Sequence, residues 1–162
     1  ILLNIAYSYL LKNIFLIDIL SLSFNYLIRV YAGCVALDVS LSNWMAVTIF
    51  SGALSISSIK RERELFLYGH KARKVLKHYG DKILRIITIL TSILSAVFYT
   101  LYVIYTNERI FLTIPLIIYA IFRFTYRSRS KEFTDSPVEE ILKDKQNYLI
   151  IFFWLIIVIF YT

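Results

Sequence analysis

The segment Lys60-Arg61-Glu62-Arg63-Glu64 sets dense charge directly against apolar sequence. An uncharged run from Val39 to Ile59 ends there, and a basic stretch begins that carries Lys60, Arg61, Arg63, Lys71, Arg73, Lys74, Lys77, Lys82 and Arg85. Such cations suit phosphate oxygens: a guanidinium forks onto two oxygens at once, and an ammonium supplies a compact point charge. Lys60 and Arg61 are therefore expected to bind substrate phosphate. Carboxylates among these bases add a place for a hard cation, since magnesium takes oxygen ligands and shares them with phosphates. Glu62 and Glu64 are the carboxylates available, and Glu64 is expected either at the metal or one layer behind it.

A second group lies upstream. Asp18 sits about one turn inside an apolar stretch, and at 100° per residue Asn25 and Arg29 fall within about 20° of it, with Ser21 about 60° away. Ionisable groups inside a bilayer are costly and generally face a bundle interior or a hydrated cavity. Asp18 is expected at the site, with a structural ion pair as the alternative, and Arg29 either joins it or snorkels outward. Tyr7 and Lys12 close the preceding apolar stretch; they read either as interfacial anchors or, with Asp18 beside them, as further catalytic residues. His70 and His78 have no Cys at zinc-ligand spacing and are expected as solvated loop residues. Cys34 is the lone cysteine, so no intramolecular disulfide can form.

These groups need a scaffold, and composition says which. The 162 residues are 59% hydrophobic and 17% aromatic, with four Gly and two Pro and a mean hydropathy of +0.67. That is too apolar for an ordinary soluble domain. A membrane span needs roughly 20 apolar residues. Uncharged runs cover 39–59, 86–105 and 146–162; 110–126 contains only Arg123, and 14–37 only Asp18 and Arg29. The expectation is one all-α transmembrane domain over 1–162, a bundle of five complete spans plus the end of a sixth at residues 1–11. The chain begins without Met, and a preceding portion is expected.

Lys and Arg set the orientation. One side collects Lys12, the basic residues of 60–85, Arg123, Arg127, Arg129, Lys131, Lys143 and Lys145, whereas the other has only Asp38, Glu108 and Arg109. The positive-inside rule places 60–82 and 127–145 in the cytoplasm, in a multi-pass protein of the cell membrane whose site faces inward. The net charge of +7 is a sidedness signal, and no nucleic-acid partner is expected without a soluble basic face.

Smaller features follow. Thr48, Ser51, Gly52 and Ser55, and then Thr88, Thr91, Ser92, Ser95, Tyr99 and Tyr102, fall at helical spacing, as close interhelical packing requires. Residues 60–82 read as an amphipathic interfacial helix broken at Gly69. In 127–145, Ser136-Pro137 with Glu139 forms a helix start of the capping-box kind, opening a short interfacial helix.

Taken together, the segments Asn4-Ile5-Ala6-Tyr7-Ser8-Tyr9-Leu10-Leu11-Lys12, Leu16-Ile17-Asp18-Ile19, Leu27-Ile28-Arg29-Val30-Tyr31-Ala32-Gly33, Lys60-Arg61 with Glu64-Leu65, and Asp135-Ser136-Pro137 resemble the UbiA-type membrane prenyltransferases. The nearest branch is that of polyprenyl-phosphate phosphoribosyltransferases, and the resemblance extends along nearly the whole chain. It implies a nine-helix fold with a cytoplasm-facing cavity, of which this chain supplies the carboxy-terminal part. It further implies magnesium-dependent transfer of 5-phosphoribose from phosphoribosyl pyrophosphate to a polyprenyl phosphate, with release of pyrophosphate. The family's Asp-rich magnesium motif has no counterpart here, so the chain alone is expected to be inactive. Where aromatic-prenylating members carry a second Asp-x-x-x-Asp pattern, this sequence has Lys60-Arg61-Glu62-Arg63-Glu64, which suits two anionic substrates. The alternatives are a prenyltransferase acting on an aromatic or other acceptor, or a non-catalytic transport protein or subunit.

Overall fold

A computed structural model describes residues 14, 16–69, 81–106, 108–130, 139–140 and 143–161. Among the described residues all regular structure is helical: α1 (Ile17–Ala36), α2 (Asn43–Tyr68), α3 (Asp81–Thr106), a single 3-10 turn at Glu108–Ile110, α4 (Thr113–Arg127) and α5 (Lys145–Tyr161). Each helix falls on one of the apolar runs. Tyr7, Lys12, His70, His78 and the Ser136 capping box lie outside the described residues.

Local chemistry accounts for the helix ends. At the start of α1 the Asp18 carboxylate accepts from the Ile19 N–H at 2.8 Å, a side-chain acceptor for one of the first amides of the helix. Ser42 caps α2 by accepting from the Met45 N–H at 3.2 Å, and Asp144 accepts from the Gln146 N–H at 3.3 Å as α5 begins. Pro115 stands in the first turn of α4, where a missing N–H costs nothing. α2 ends at Gly69, whose φ of 62° and ψ of −164° belong to glycine almost alone.

α2 corrects the sequence reading in one respect. The basic stretch was expected as a separate interfacial helix leaving the span at Lys60, but the helix continues unbroken to Tyr68 and only the break at Gly69 stands as expected. Hydropathy changes sign at Lys60 whereas helix propensity does not, because Lys, Arg, Glu and Leu are all good helix formers.

Successive helices pack as neighbours in an up-and-down order, α1 on α2, α2 most extensively on α3, α3 on α4, and α4 on α5. Contacts fix the two ends. Asp18 meets Arg61, Arg63 meets the carbonyl of Ser130, and Arg123 meets Asp144, so the start of α1, the end of α2, the end of α4 and the start of α5 share one end of the bundle. At the other end Trp44 stacks on Tyr105 with ring centroids 5.5 Å apart. Between them the small polar residues act as packing groups. Ser55 and Ser92 hydroxyls lie 2.7 Å apart, and Ser92 and Thr125 lie 2.9 Å apart, joining α2, α3 and α4. A Cβ on Gly52 would sit 3.4 Å from Ser95 Oγ, a measure of how closely α2 and α3 approach. Tyr99 bridges further, its hydroxyl 2.7 Å from Thr113 Oγ1 and accepting from Trp154 Nε1 at 2.8 Å.

Two of the helices are long and apolar enough to cross a membrane, Ile17–Ala36 and, within α3, Lys82–Thr106; Lys145–Tyr161 is apolar but shorter. Only 17% of the α1 window and 28% of the α3 window is buried inside the structure. Their outer faces instead present Phe24, Ile28, Ile86, Leu90 and Ile93, the reverse of a helix at the core of a water-soluble domain.

Candidate functional site

Helical phase decides what the charged junction becomes. Ile59, Arg61, Arg63 and Leu65 of α2 are buried, while Lys60, about 100° away around the axis, is exposed. Arg61 Nε donates to Asp18 Oδ2 at 2.5 Å, and its Nη1 donates to Glu64 Oε2 at 2.7 Å. The Arg61 and Asp18 side chains are 1% and 0% exposed, and that of Glu64 is 17% exposed. The structure thus brings Asp18, Arg61 and Glu64 into one buried cluster and leaves Lys60 at its rim. A carboxylate and a guanidinium taken out of water hold each other's charge, and neither tolerates loss of the other. Arg61 is therefore engaged by protein carboxylates. Of the stripe on α1, Asp18 and Ser21 are buried, Asn25 is half-buried and Arg29 is exposed, so the stripe turns outward along its length.

Magnesium finds no complete site in these residues. Among the described residues no three His, Cys, Asp or Glu side chains gather as a metal would require, and the oxygens Asp18 Oδ2 and Glu64 Oε2 are occupied by Arg61.

A second cluster lies on the neighbouring face, and the sequence reading did not assemble it. Arg63, Lys82, Arg85 and Arg129, with Glu62 and Ser128, line a cavity of about 440 Å³ floored by Leu65 and Phe66. Arg63 donates to the Ser130 carbonyl at 3.0 Å and lies over the Phe66 ring at 5.3 Å, a cation–π geometry that fixes the guanidinium. Glu62 Oε1 is 3.6 Å from Arg129 Nε, and its buried Oε2 has no hydrogen-bond partner among the described residues. Among the described residues the lining of this cavity carries four cations and one carboxylate. The available signal was partial: the phase of α2 puts Glu62 about 160° from Lys60 but leaves Arg63, three residues on, only about 60° away, so pairing them with Arg129 needed the tertiary fold.

A third cluster fastens α4 to α5. Arg123 forks onto Asp144 with bonds of 2.7 and 2.9 Å. Arg127 binds Glu140 at 2.6 and 3.1 Å and lies 3.7 Å from Asp144. The hydrogen bonds from Arg123 hold the Asp144 carboxyl below the usual carboxylate range, against the opposing pull of burial.

The fold and these clusters define an all-helical protein with membrane-length apolar helices and cations suited to phosphate gathered at one end. No protein-family model matches the chain. Curated relatives do match. Over 102 residues, 61% of this chain, it is 36% identical to the decaprenyl-phosphate phosphoribosyltransferase of Mycolicibacterium smegmatis. Proteins of the same name from Corynebacterium glutamicum and Mycobacterium tuberculosis are 34% and 35% identical over 88 and 92 residues. The matches cover 32%, 26% and 30% of those relatives, so the chain spans about a third of their length. The relatives bear the name of the branch that the motifs resemble, although the matched stretch is shorter than the nearly full length expected.

Proposed function

We propose that this chain is the carboxy-terminal part of a multi-pass membrane transferase that moves 5-phosphoribose from phosphoribosyl pyrophosphate to a polyprenyl phosphate. The observation that carries the proposal is the match of about 35% identity to three proteins named decaprenyl-phosphate phosphoribosyltransferase. In the transfer an oxygen of the lipid phosphate forms a bond to the anomeric carbon, the bond from that carbon to pyrophosphate breaks, and pyrophosphate departs with the electron pair. Cations that meet the departing charge lower the barrier. Lys60, exposed at the rim, contacts phosphate, and Arg61 holds Asp18 and Glu64 together beneath it; the roles expected for Tyr7 and Lys12 fall on residues outside those described. Magnesium would shield the pyrophosphate charge; no complete site for it stands among the described residues.

The membrane setting and five spans belong to the same proposal. Trp44 and Arg61 on α2 are separated by about 26 Å along the axis, and Arg85 and Tyr105 on α3 by about 30 Å, at a rise of roughly 1.5 Å per residue. Both distances match a hydrocarbon core about 30 Å thick, with aromatic residues at one boundary and cations at the other. The cationic end faces the cytoplasm.

The test uses the full-length protein in liposomes containing polyprenyl phosphate. Added phosphoribosyl pyrophosphate should yield pyrophosphate and a lipid heavier by one phosphoribosyl group, and chelation of magnesium should stop it. Product formed only from prenyl diphosphates and an aromatic acceptor would replace this reading by the prenyltransferase one. Turnover with neither pair of substrates would favour a non-catalytic transport protein or subunit.

A further inference from the structure

α3 and α4 enclose an almost wholly apolar groove of about 560 Å³, and Arg129, which lines the cationic cavity, also lines one end of this groove. The two spaces are continuous in register as well. On α3, Lys82 and Arg85 line the cavity, and Ile89, Ile93 and Ala96 line the groove. Steps of three and four residues keep all five on one helix face. On α4, Ile118 and Phe122, one turn apart, line the same groove, and Arg129 follows two residues beyond the helix end. From Ile89 to Leu101 the groove runs about 18 Å along α3 at 1.5 Å per residue, parallel to the lipid tails of the proposed bilayer, with its cations at the headgroup level.

We infer that groove and cavity are one binding site for a polyprenyl monophosphate, with the hydrocarbon between α3 and α4 and the phosphate among Arg63, Lys82, Arg85 and Arg129. The inference rests on the proposed function for the identity of the lipid. Charge complementarity selects the head: among the described residues the cavity lining carries Arg63, Lys82, Arg85 and Arg129 against the carboxylate of Glu62, a net attraction for one phosphate. Glu62 then selects among phosphates, because its side chain lines the cavity and is 21% exposed. A phosphomonoester offers a P–OH to that carboxylate, whereas a phosphodiester headgroup has no such proton and meets only the carboxylate charge. This lipid site is distinct from the Asp18, Arg61 and Glu64 cluster, which lies where α1 meets α2.

Native mass spectrometry of the full-length protein in detergent, titrated with polyprenyl phosphate, polyprenol or phosphatidylglycerol, tests the assignment. Arg129→Gln combined with Arg85→Gln should weaken retention of polyprenyl phosphate at least tenfold and leave polyprenol unchanged, and Arg129→Lys with Arg85→Lys should restore most of it. Ala96→Trp should weaken both polyprenyl lipids. Unchanged retention of polyprenyl phosphate in folded Arg129→Gln/Arg85→Gln protein, or equal retention of phosphatidylglycerol by the wild type, would overturn the site. The two proposals fail separately. Selective binding without phosphoribosyl transfer removes the function and keeps the site. Transfer with an unaltered KM for polyprenyl phosphate in these variants removes the site and keeps the function.

Discussion

Arg61 shows how one side chain changes meaning between sequence and structure. Its neighbour Lys60 has the same charge and stands one residue away, yet Lys60 is exposed while Arg61 is 1% exposed between Asp18 and Glu64. Removing Arg61 would take from Asp18, itself fully buried, the guanidinium to which it is bonded. Arg61→Ala is accordingly expected to destabilise the protein by about 3–5 kcal/mol, the scale for breaking one partner of a buried ion pair. Lys60→Ala should stay within about 0.5 kcal/mol of wild type, so any loss of turnover it causes reports on substrate. Thermal unfolding in detergent, followed by circular dichroism, separates the two. An Arg61→Ala protein as stable as wild type would show that the cluster contributes little to the fold. That Asp18 matters was legible from a carboxylate inside an apolar run. That Arg61 rather than Lys60 would reach it was not, because the choice depends on the rotation of α2 against α1.

At the level of elements, every described helix was announced by an apolar run, and apart from the Lys60 junction the breaks fell where charge or glycine interrupts the chain. What hydropathy cannot convey is where a helix stops once it leaves the lipid, and α2 continues to Tyr68 for that reason. The join between α4 and α5 was equally hidden. Arg123 read as a solitary charge in a span, and its partner Asp144 lies in a separate segment brought near only by the fold. That join should be sensitive to acid. Because the Asp144 carboxyl titrates lower folded than unfolded, its contribution is fully present above the unfolded value of about 3.9 and is lost as pH falls through the folded value. Lowering the pH from 7 to 3 should therefore reduce the melting temperature, and Asp144→Asn, already weakened at neutral pH, should show a smaller reduction. An equal acid-induced drop in both proteins would exclude Asp144 as a source of the effect.

For the whole molecule, the charge asymmetry of the loops is the feature that survived most directly from sequence into architecture. The ends of α1, α2, α4 and α5 that carry Asp18, Arg61, Arg127 and Asp144 are held together by ion pairs, and Trp44 with Tyr105 marks the far end. The sidedness this implies is open to a direct test in a Cys34→Ser background. A maleimide that cannot cross membranes should label Lys60→Cys only in inverted vesicles and Glu108→Cys only in right-side-out ones. Labelling of both from one face would refute the up-and-down arrangement across a bilayer. The proposed lipid groove was out of reach of the sequence, since it is made by two helix faces whose residues are individually ordinary.

The unbroken course of α2 has a mechanical corollary. From Ala53 to Tyr68 it contains neither Gly nor Pro, so this rod has no internal joint at which a bend would concentrate. Under the proposed function, a phosphorylated ligand bound at its tip would therefore press on the whole shaft, down to the Ser55–Ser92–Thr125 junction, and not on a hinge at the water boundary.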